Sequence, residues 1–325
     1  MASAEAVLAV IEAAGAHVPE LMDRLEVRLA ELATGHGETL GAHAGATIAA
    51  GGKRLRPLLV LLAAGPPADE ASAVRLLRAA AAVELVHSAT LVHDDVLDAA
   101  PLRRGCPTVF AQAGRLMATA TGDLLFAQAF AELARNGRPR DVQVLSDASS
   151  ALAAGELLQR ADAWDVGVPR ERYLERCDLK TARLFQAAGQ LGAIEAGGPV
   201  EILGAFGRRV GLAFQLLDDV LDVSGPAERT GKHRGTDLLD GTVTLPLIAA
   251  RDRDPGLAAL DLRAVRTPEQ AEGVCDRIAA TGALDEARAQ ALEMVAAAKD
   301  ALPALPEGQR GALELVADGV VHRFA

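Results

Sequence analysis

The stretch "AAAAVELVHSATLVHDDVLDAAPLRRG", residues 79–105, begins as the wall of a buried helix and ends in three aspartates, two arginines and a glycine. Residues four apart on a helix share a face, so Asp94 and Asp98 point the same way and Asp95 sits beside them. Three carboxylates on about one turn repel each other unless something positive is held between them. A single group of this kind is usually a solvated helix terminus. Here the same core recurs in "FQLLDDVLDVSG", residues 214–225, where Asp218, Asp219 and Asp222 again end an apolar helix. Two such ends can face each other across a bundle interior, as paired carboxylates do in other helical metal sites. A few carboxylates with positions left for water and phosphate oxygens suit a hard cation such as Mg2+.

The rest of the chain agrees with helices. Only 3% of its 325 residues are aromatic while half are hydrophobic, so Ala, Leu and Val must fill the core, which favours close-packed helices over a sheet. Breakers such as "GPPADE" (65–70), "NGRPRD" (136–141), "GGPVE" (197–201) and "LPALPEG" (302–308) punctuate the sequence. Between them lie apolar positions at helical spacing, for example Leu203, Phe206, Val210, Phe214 and Leu217. No alternating strand pattern, fixed-period repeat or low-complexity linker interrupts them. The expectation is an all-α protein, about a dozen helices in a single domain over residues 1–325.

A net charge of −11 argues against a nucleic-acid partner. It leaves room for an anionic ligand wherever Lys and Arg cluster locally. Cys106, Cys177 and Cys275 are scattered and form no CxxC pair, so reduced thiols are expected. The first twenty residues lack a basic region and no apolar run reaches the roughly 18 residues that span a bilayer, so the chain is expected in the cytoplasm.

The cations need their own account. "GGKRLRP" places Lys53, Arg54 and Arg56 at a helix start, and Arg103 and Arg104 follow the first acidic group. Lys180 precedes Thr181 in "DLKTARLF", and Lys232 lies in "TGKHRG". Singly, each is an ordinary surface charge. Together with two carboxylate clusters they describe a site for diphosphates, Arg offering forked donors and Lys a point charge.

With these residues in view, the chain resembles the trans-prenyltransferases, the isoprenyl diphosphate synthases of the polyprenyl synthetase family. The resemblance rests on "GGKRLRPLL", "ELVHSATLVHDDVLDAAPLRRGCPTVF", "GDLLFAQAF", "GELLQ", "LKTA", "FQLLDDVLDVSG" and "GTDLLDGTVTLPLI", in family order from about residue 51 to 248. It implies an isoprenoid synthase type of helical bundle around a central active-site cavity. It implies that Asp94, Asp98 and Asp218 bind three Mg2+ that clamp an allylic diphosphate, with Asp95, Asp219 and Asp222 completing the acidic faces. Arg103, Lys180 and Lys232 would hold that same diphosphate. Lys53, Arg56, His87 and Arg104 would hold isopentenyl diphosphate, and Thr181 and Gln215 would turn oxygens toward the developing allylic cation. A homodimer is implied too, as is contact with membrane lipids when an apolar product leaves.

The chain departs from the family at "LLDGTVTLP", where Leu239 replaces an arginine and Thr242 a lysine. Lys232 and Arg234 are the nearest replacement cations. Two rivals share some of these features. A helical terpene cyclase would not need Lys53, Arg56 and His87, and its second metal motif is normally not DDVLD. A non-catalytic partner subunit usually lacks the acidic motifs. For product length, the resemblance implies that a bulky residue just before Asp94 would close the cavity early; Ala89 and Thr90 stand there and neither is aromatic, so the cavity is expected to continue to a floor at Phe126, Phe130 and Leu133. This favours a C30 to C50 product, with C20 as the alternative.

Overall fold

Alanine-rich segments bounded by glycine and proline become helices in the computed structural model, which describes residues 9–10, 12–225 and 233–322. Fifteen helices follow one another among the described residues. Helices α1 (His17–Thr34), α2 (Glu38–Ala49) and α3 (Leu55–Ala64) lead into the long α4 (Glu70–Leu97). A two-stranded hairpin, β1 (Leu102–Arg103) and β2 (Cys106–Pro107), turns the chain back into α5 (Val109–Ala134). Helices α6 (Pro139–Ala161) and α7 (Arg170–Cys177) follow, and a π-helical turn (Asp178–Ala182) joins α7 to α8 (Arg183–Ala196). Helix α9 (Val200–Ser224) carries the second acidic group. Six helices complete the fold: α10 (Thr236–Leu239), α11 (Leu245–Arg251), α12 (Pro255–Ala258), α13 (Pro268–Ala280), α14 (Ala283–Asp300) and α15 (Glu307–His322).

Helix α4 is the axis of the bundle. It starts at a capping box, in which Ser72 N donates to Asp69 Oδ1 at 2.7 Å and Asp69 N donates to Ser72 Oγ at 3.0 Å. Beyond that cap it has buried residues on every side, and none of residues 73–96 is exposed. A helix that is apolar all round has to be a core helix, and α1, α3, α5 and α8 pack around it. The buried apolar residues form one cluster reaching from Val10 to Val320. Helices α4 and α5 run antiparallel: His93 stacks on Phe126 near one end, and Arg78 reaches the Arg135 carbonyl near the other.

Two local features lie outside the helical pattern of the sequence. The hairpin pairs Leu102 with Pro107 and Arg103 with Cys106, and its two turn residues, Arg104 and Gly105, have φ of 53° and 79°. Positive φ at both central residues is what a type I′ turn requires. Strands of two residues are too short to show alternation, so only the turn could have revealed them. The π turn inserts a residue without disturbing apolar spacing on either side. The three cysteines are free, Cys106 exposed and the other two buried. No helix among the described residues is long and apolar enough to cross a membrane.

Candidate active site

The first acidic group sits where α4 ends. Asp98 is its C-cap, and Arg160 of α6 donates to Asp98 Oδ1. Arg160 also donates to Glu156 Oε1 at 2.9 Å, and Lys180 donates to Glu156 Oε2. Burial works to raise the Glu156 carboxyl, but Lys180 and Arg160 outweigh it and hold it below the usual range. Asp94 goes the other way. Burial pushes it up to about 6 against the pull of Lys180, with Glu156 and Asp98 adding to the rise. Asp95, about 100° further round the helix, is buried and takes Arg103 Nε and Nη2 at 2.8 Å each.

The π turn reaches toward both acidic groups. Lys180 faces Asp94 and Glu156, while the hydroxyl of the next residue, Thr181, donates to Gln215 Oε1 at 2.7 Å. Gln215 Nε2 in turn donates to Asp219 Oδ1 at 2.7 Å, and the Tyr173 hydroxyl donates to Asp219 Oδ2 at 2.6 Å. The π turn can lie this close to α6 because Gly155 has no side chain: a Cβ there would stand 2.5 Å from Lys180 N. Single π turns of this kind often mark functional sites. Asp219 is buried with a donor on each oxygen, and burial lifts it to about 7 despite them. Asp218, next to it, is exposed. Asp222 Oδ2 accepts from Asp237 N at 3.2 Å, so the loop carrying α10 folds onto the second acidic group. The Asp237 carboxyl is driven well above the ordinary range by burial and by Asp222, Asp219, Asp218 and Asp240.

The cations gather around His87. Burial and then Arg56, Arg104, Arg103 and Arg54 push its imidazole well below its ordinary value, so it is neutral at pH 7. Burial lowers Arg56 to about 10, with Glu84 opposing, and its guanidinium lies 4.4 Å over the Phe185 ring. Its Nε is a buried donor with no hydrogen-bond partner. The Arg104 guanidinium lies against Gly52 of the "GGKRLR" segment, which brings the hairpin tip to the start of α3. Lys53 is exposed beside it. Arg54 differs from its neighbours. It adopts φ 47° and points inward, donating to Glu84 Oε1 at 2.7 Å, Glu26 Oε1 at 2.7 Å and the Ile48 carbonyl at 2.9 Å.

Ala89 is fully buried and Thr90 half-buried on α4. Phe126 and Phe130 are half-buried on α5, and Leu133 fully buried. Phe126 stacks on His93, one residue before Asp94, so it is level with the acidic group; Phe130 and Leu133 follow one and two turns deeper. Lys232 lies outside the described residues. Leu239 packs against the core, and Thr242 N donates to the Asp237 carbonyl at 2.7 Å. Arg234 is engaged with the Val223 carbonyl and Asp276, facing α13. Among the described residues, no three His, Cys, Asp or Glu side chains are gathered closely enough to hold a metal.

Four partners of the site carried no role in the sequence: Glu156, Arg160, Tyr173 and Asp237. Glu156 lies within "GELLQ" and Asp237 within "GTDLLDG", so their motifs were visible although their contacts were not. Arg160 and Tyr173 left no signal, since each matters only through a residue distant in sequence.

Residues 38–280 match the family model described as polyprenyl synthetase. The chain is 44% identical over 224 residues to heptaprenyl diphosphate synthase component 2 of Geobacillus stearothermophilus, covering 68% of this chain and 69% of that one. It is 38% identical over 294 residues to a short chain isoprenyl diphosphate synthase of Methanothermobacter thermautotrophicus, covering 85% and 88%. The crystal structure of a polyprenyl synthase from Caulobacter crescentus CB15, complexed with calcium and isoprenyl diphosphate, superposes with a TM-score of 0.87 at 36% identity. That match covers 94% of this chain and 96% of that one.

Proposed function

This chain belongs to the polyprenyl synthetase family and is a trans-prenyl diphosphate synthase, and from that premise we propose that it joins an allylic diphosphate to isopentenyl diphosphate, with Mg2+, to give a C30 to C50 product. The observation that carries this reading is the contrast between two fields. Carboxylates collect on either side of the π turn, while guanidinium groups surround a neutral His87 and leave a buried Arg56 donor unsatisfied.

The acidic side suits a hard divalent cation, because its donors are carboxylate oxygens and because burial, with Glu156 and Asp98 adding to it, pushes Asp94 up to about 6 against the pull of Lys180, a rise that a bound cation would oppose. Asp94, Asp98, Asp218 and Asp222 would hold the metal, three ions in all. Asp95 and Asp219 would act one step removed, by fixing Arg103 and Gln215. Bound divalent cations would stabilise the charge of a departing diphosphate. Lys180, Arg103 and Lys232 would grip that diphosphate. Asp219 anchors the amide nitrogen of Gln215, so its carbonyl oxygen turns to Thr181. Those two oxygens would face the allylic cation. Lys53, Arg56, His87 and Arg104 would hold the second diphosphate, and neutral His87 would add a hydrogen bond without adding charge. Residues 1–325 would form one domain, working as a homodimer that releases its product to membrane lipids. The name "component 2" of one relative makes a two-protein enzyme the second reading; turnover by the purified chain alone excludes it. Diphosphate release from an allylic substrate with Mg2+, with and without isopentenyl diphosphate, followed by chromatography of the product, tests the whole proposal.

Three variants probe its halves. Lys53→Ala and Arg56→Ala should each raise KM for isopentenyl diphosphate, by about ten- to a hundredfold for a lost charge-assisted contact. Lys180→Ala should disturb the allylic substrate instead. Equal effects of all three on both substrates would refute the division.

Product length offers a separate test. From Asp94 to the Arg78 end of α4 the axis spans ~24 Å at 1.5 Å per residue, the distance over which a long product would have to run beside α4. Ala89→Tyr should shorten the product by filling the first part of that path. An unchanged product from an active, folded variant would place the limit elsewhere. A wild-type product of C20 or less would refute the long-chain reading.

A further inference from the structure

Arg160 is not among the residues for which a role has been proposed, yet it occupies one of the carboxylates assigned above to the metal. Its guanidinium spans two helix ends, Nη2 on Asp98 at the C-cap of α4 and Nε on Glu156 one turn back along α6. Glu156 also takes the Lys180 ammonium. Asp98 is thus paired from α6 by an internal cation, and a carboxylate of α6 holds both that cation and Lys180.

We propose that Arg160 is a positioning residue that stands in for the divalent cation at Asp98 and must leave that carboxylate when metal binds, with Glu156 retaining it. This rests on the proposed role of Asp98 as a metal ligand. The geometry favours exchange over permanent pairing. The Arg160 and Asp98 side chains are 40% and 42% exposed, and an ion pair so open to water contributes little. The Glu156 side chain is only 14% exposed, so the Arg160–Glu156 bond is the better protected of the two. Arg160 therefore has somewhere to go, one turn away, without losing its second acceptor. Displacing a cation from the site adds to the work of binding another, so Arg160 sets how much Mg2+ the enzyme needs.

The test uses the full-length protein and Mn2+ as the probe, with free Mn2+ counted by electron paramagnetic resonance, alone and with inorganic diphosphate. Arg160→Gln should lower the half-saturating Mn2+ concentration about three- to tenfold, the scale of an exposed charge pair acting on a divalent ion. The gain should vanish in an Asp98→Asn background. A gain that survives there reflects general charge and overturns the inference, as does an unchanged or weaker affinity in Arg160→Gln. In the wild type, the Arg160 Nε–Hε NMR signal, assigned by its loss in Arg160→Gln, should shift when Mg2+ and diphosphate are added; a signal that stays put overturns the inference without touching the proposed activity. No Mn2+ binding by the wild type even with diphosphate would refute the metal reading itself, and the inference with it.

Discussion

Replacing Asp94 or Asp218 with alanine should reduce turnover on the order of a thousandfold or more, since each change removes a proposed ligand of the ions that stabilise the leaving group. The fold should persist. In the metal-free protein Asp94 is a liability: burial and neighbouring carboxylates raise its carboxyl to about 6, so ionising it at pH 7 opposes folding. The sign follows from that shift. A carboxyl with a raised folded value binds its proton more tightly when folded, so its favourable contribution is complete below the unfolded value of 3.8 and is lost as pH rises through about 6. Calorimetry in the presence of a chelator should therefore find the Asp94→Ala melting temperature level with or above the wild type at pH 7. That difference should shrink as pH falls from 6 toward 4. Asp219, raised to about 7 by burial, works in the same direction in the wild type, whereas Glu156 is held low and opposes it. Near-normal turnover in either alanine variant would remove the metal assignment.

Arg54→Met should destabilise the protein by about 3 to 5 kcal/mol, the scale of a buried ion pair stripped of one partner. Arg54 is 7% and Glu84 4% exposed, and the guanidinium ties α1, the end of α2 and α4 together through Glu26, the Ile48 carbonyl and Glu84. Without it, Glu84 is left with the weaker pull of Arg56 and Arg104, and burial already raises its carboxyl. The double change Arg54→Met with Glu84→Gln should recover much of the loss, because no uncompensated charge is left inside. Urea denaturation of the single and double variants measures both. A loss below about 1 kcal/mol in the single variant would mean that water screens the pair, as at a surface.

Arg54 also shows what kind of information separates the two levels of description. Helical spacing, breakers and composition are local, so the helices and the ends of α4 and α9 were legible from the chain alone. The two DDVLD groups, and the cations of "GGKRLRP" and "PLRRG", stood out from the chain alone as charged ends of apolar helices. Which cation does what was not legible. Lys53, Arg54 and Arg56 lie within four positions, yet a left-handed φ sends Arg54 into the core and leaves Arg56 over Phe185 with a free donor. Within each DDVLD the second aspartate turns inward to Arg103 or to Gln215 and Tyr173, a difference of about 100° around a helix that acquires meaning only from what packs there. The hairpin, the π turn, and the pairing of Asp98 with Arg160 likewise depend on contacts between segments distant in sequence. The sequence by itself determined which residues could carry charge, and on which helix; only the tertiary structure decided their partners, because a partner is chosen by proximity in space, and proximity is a property of the packed bundle.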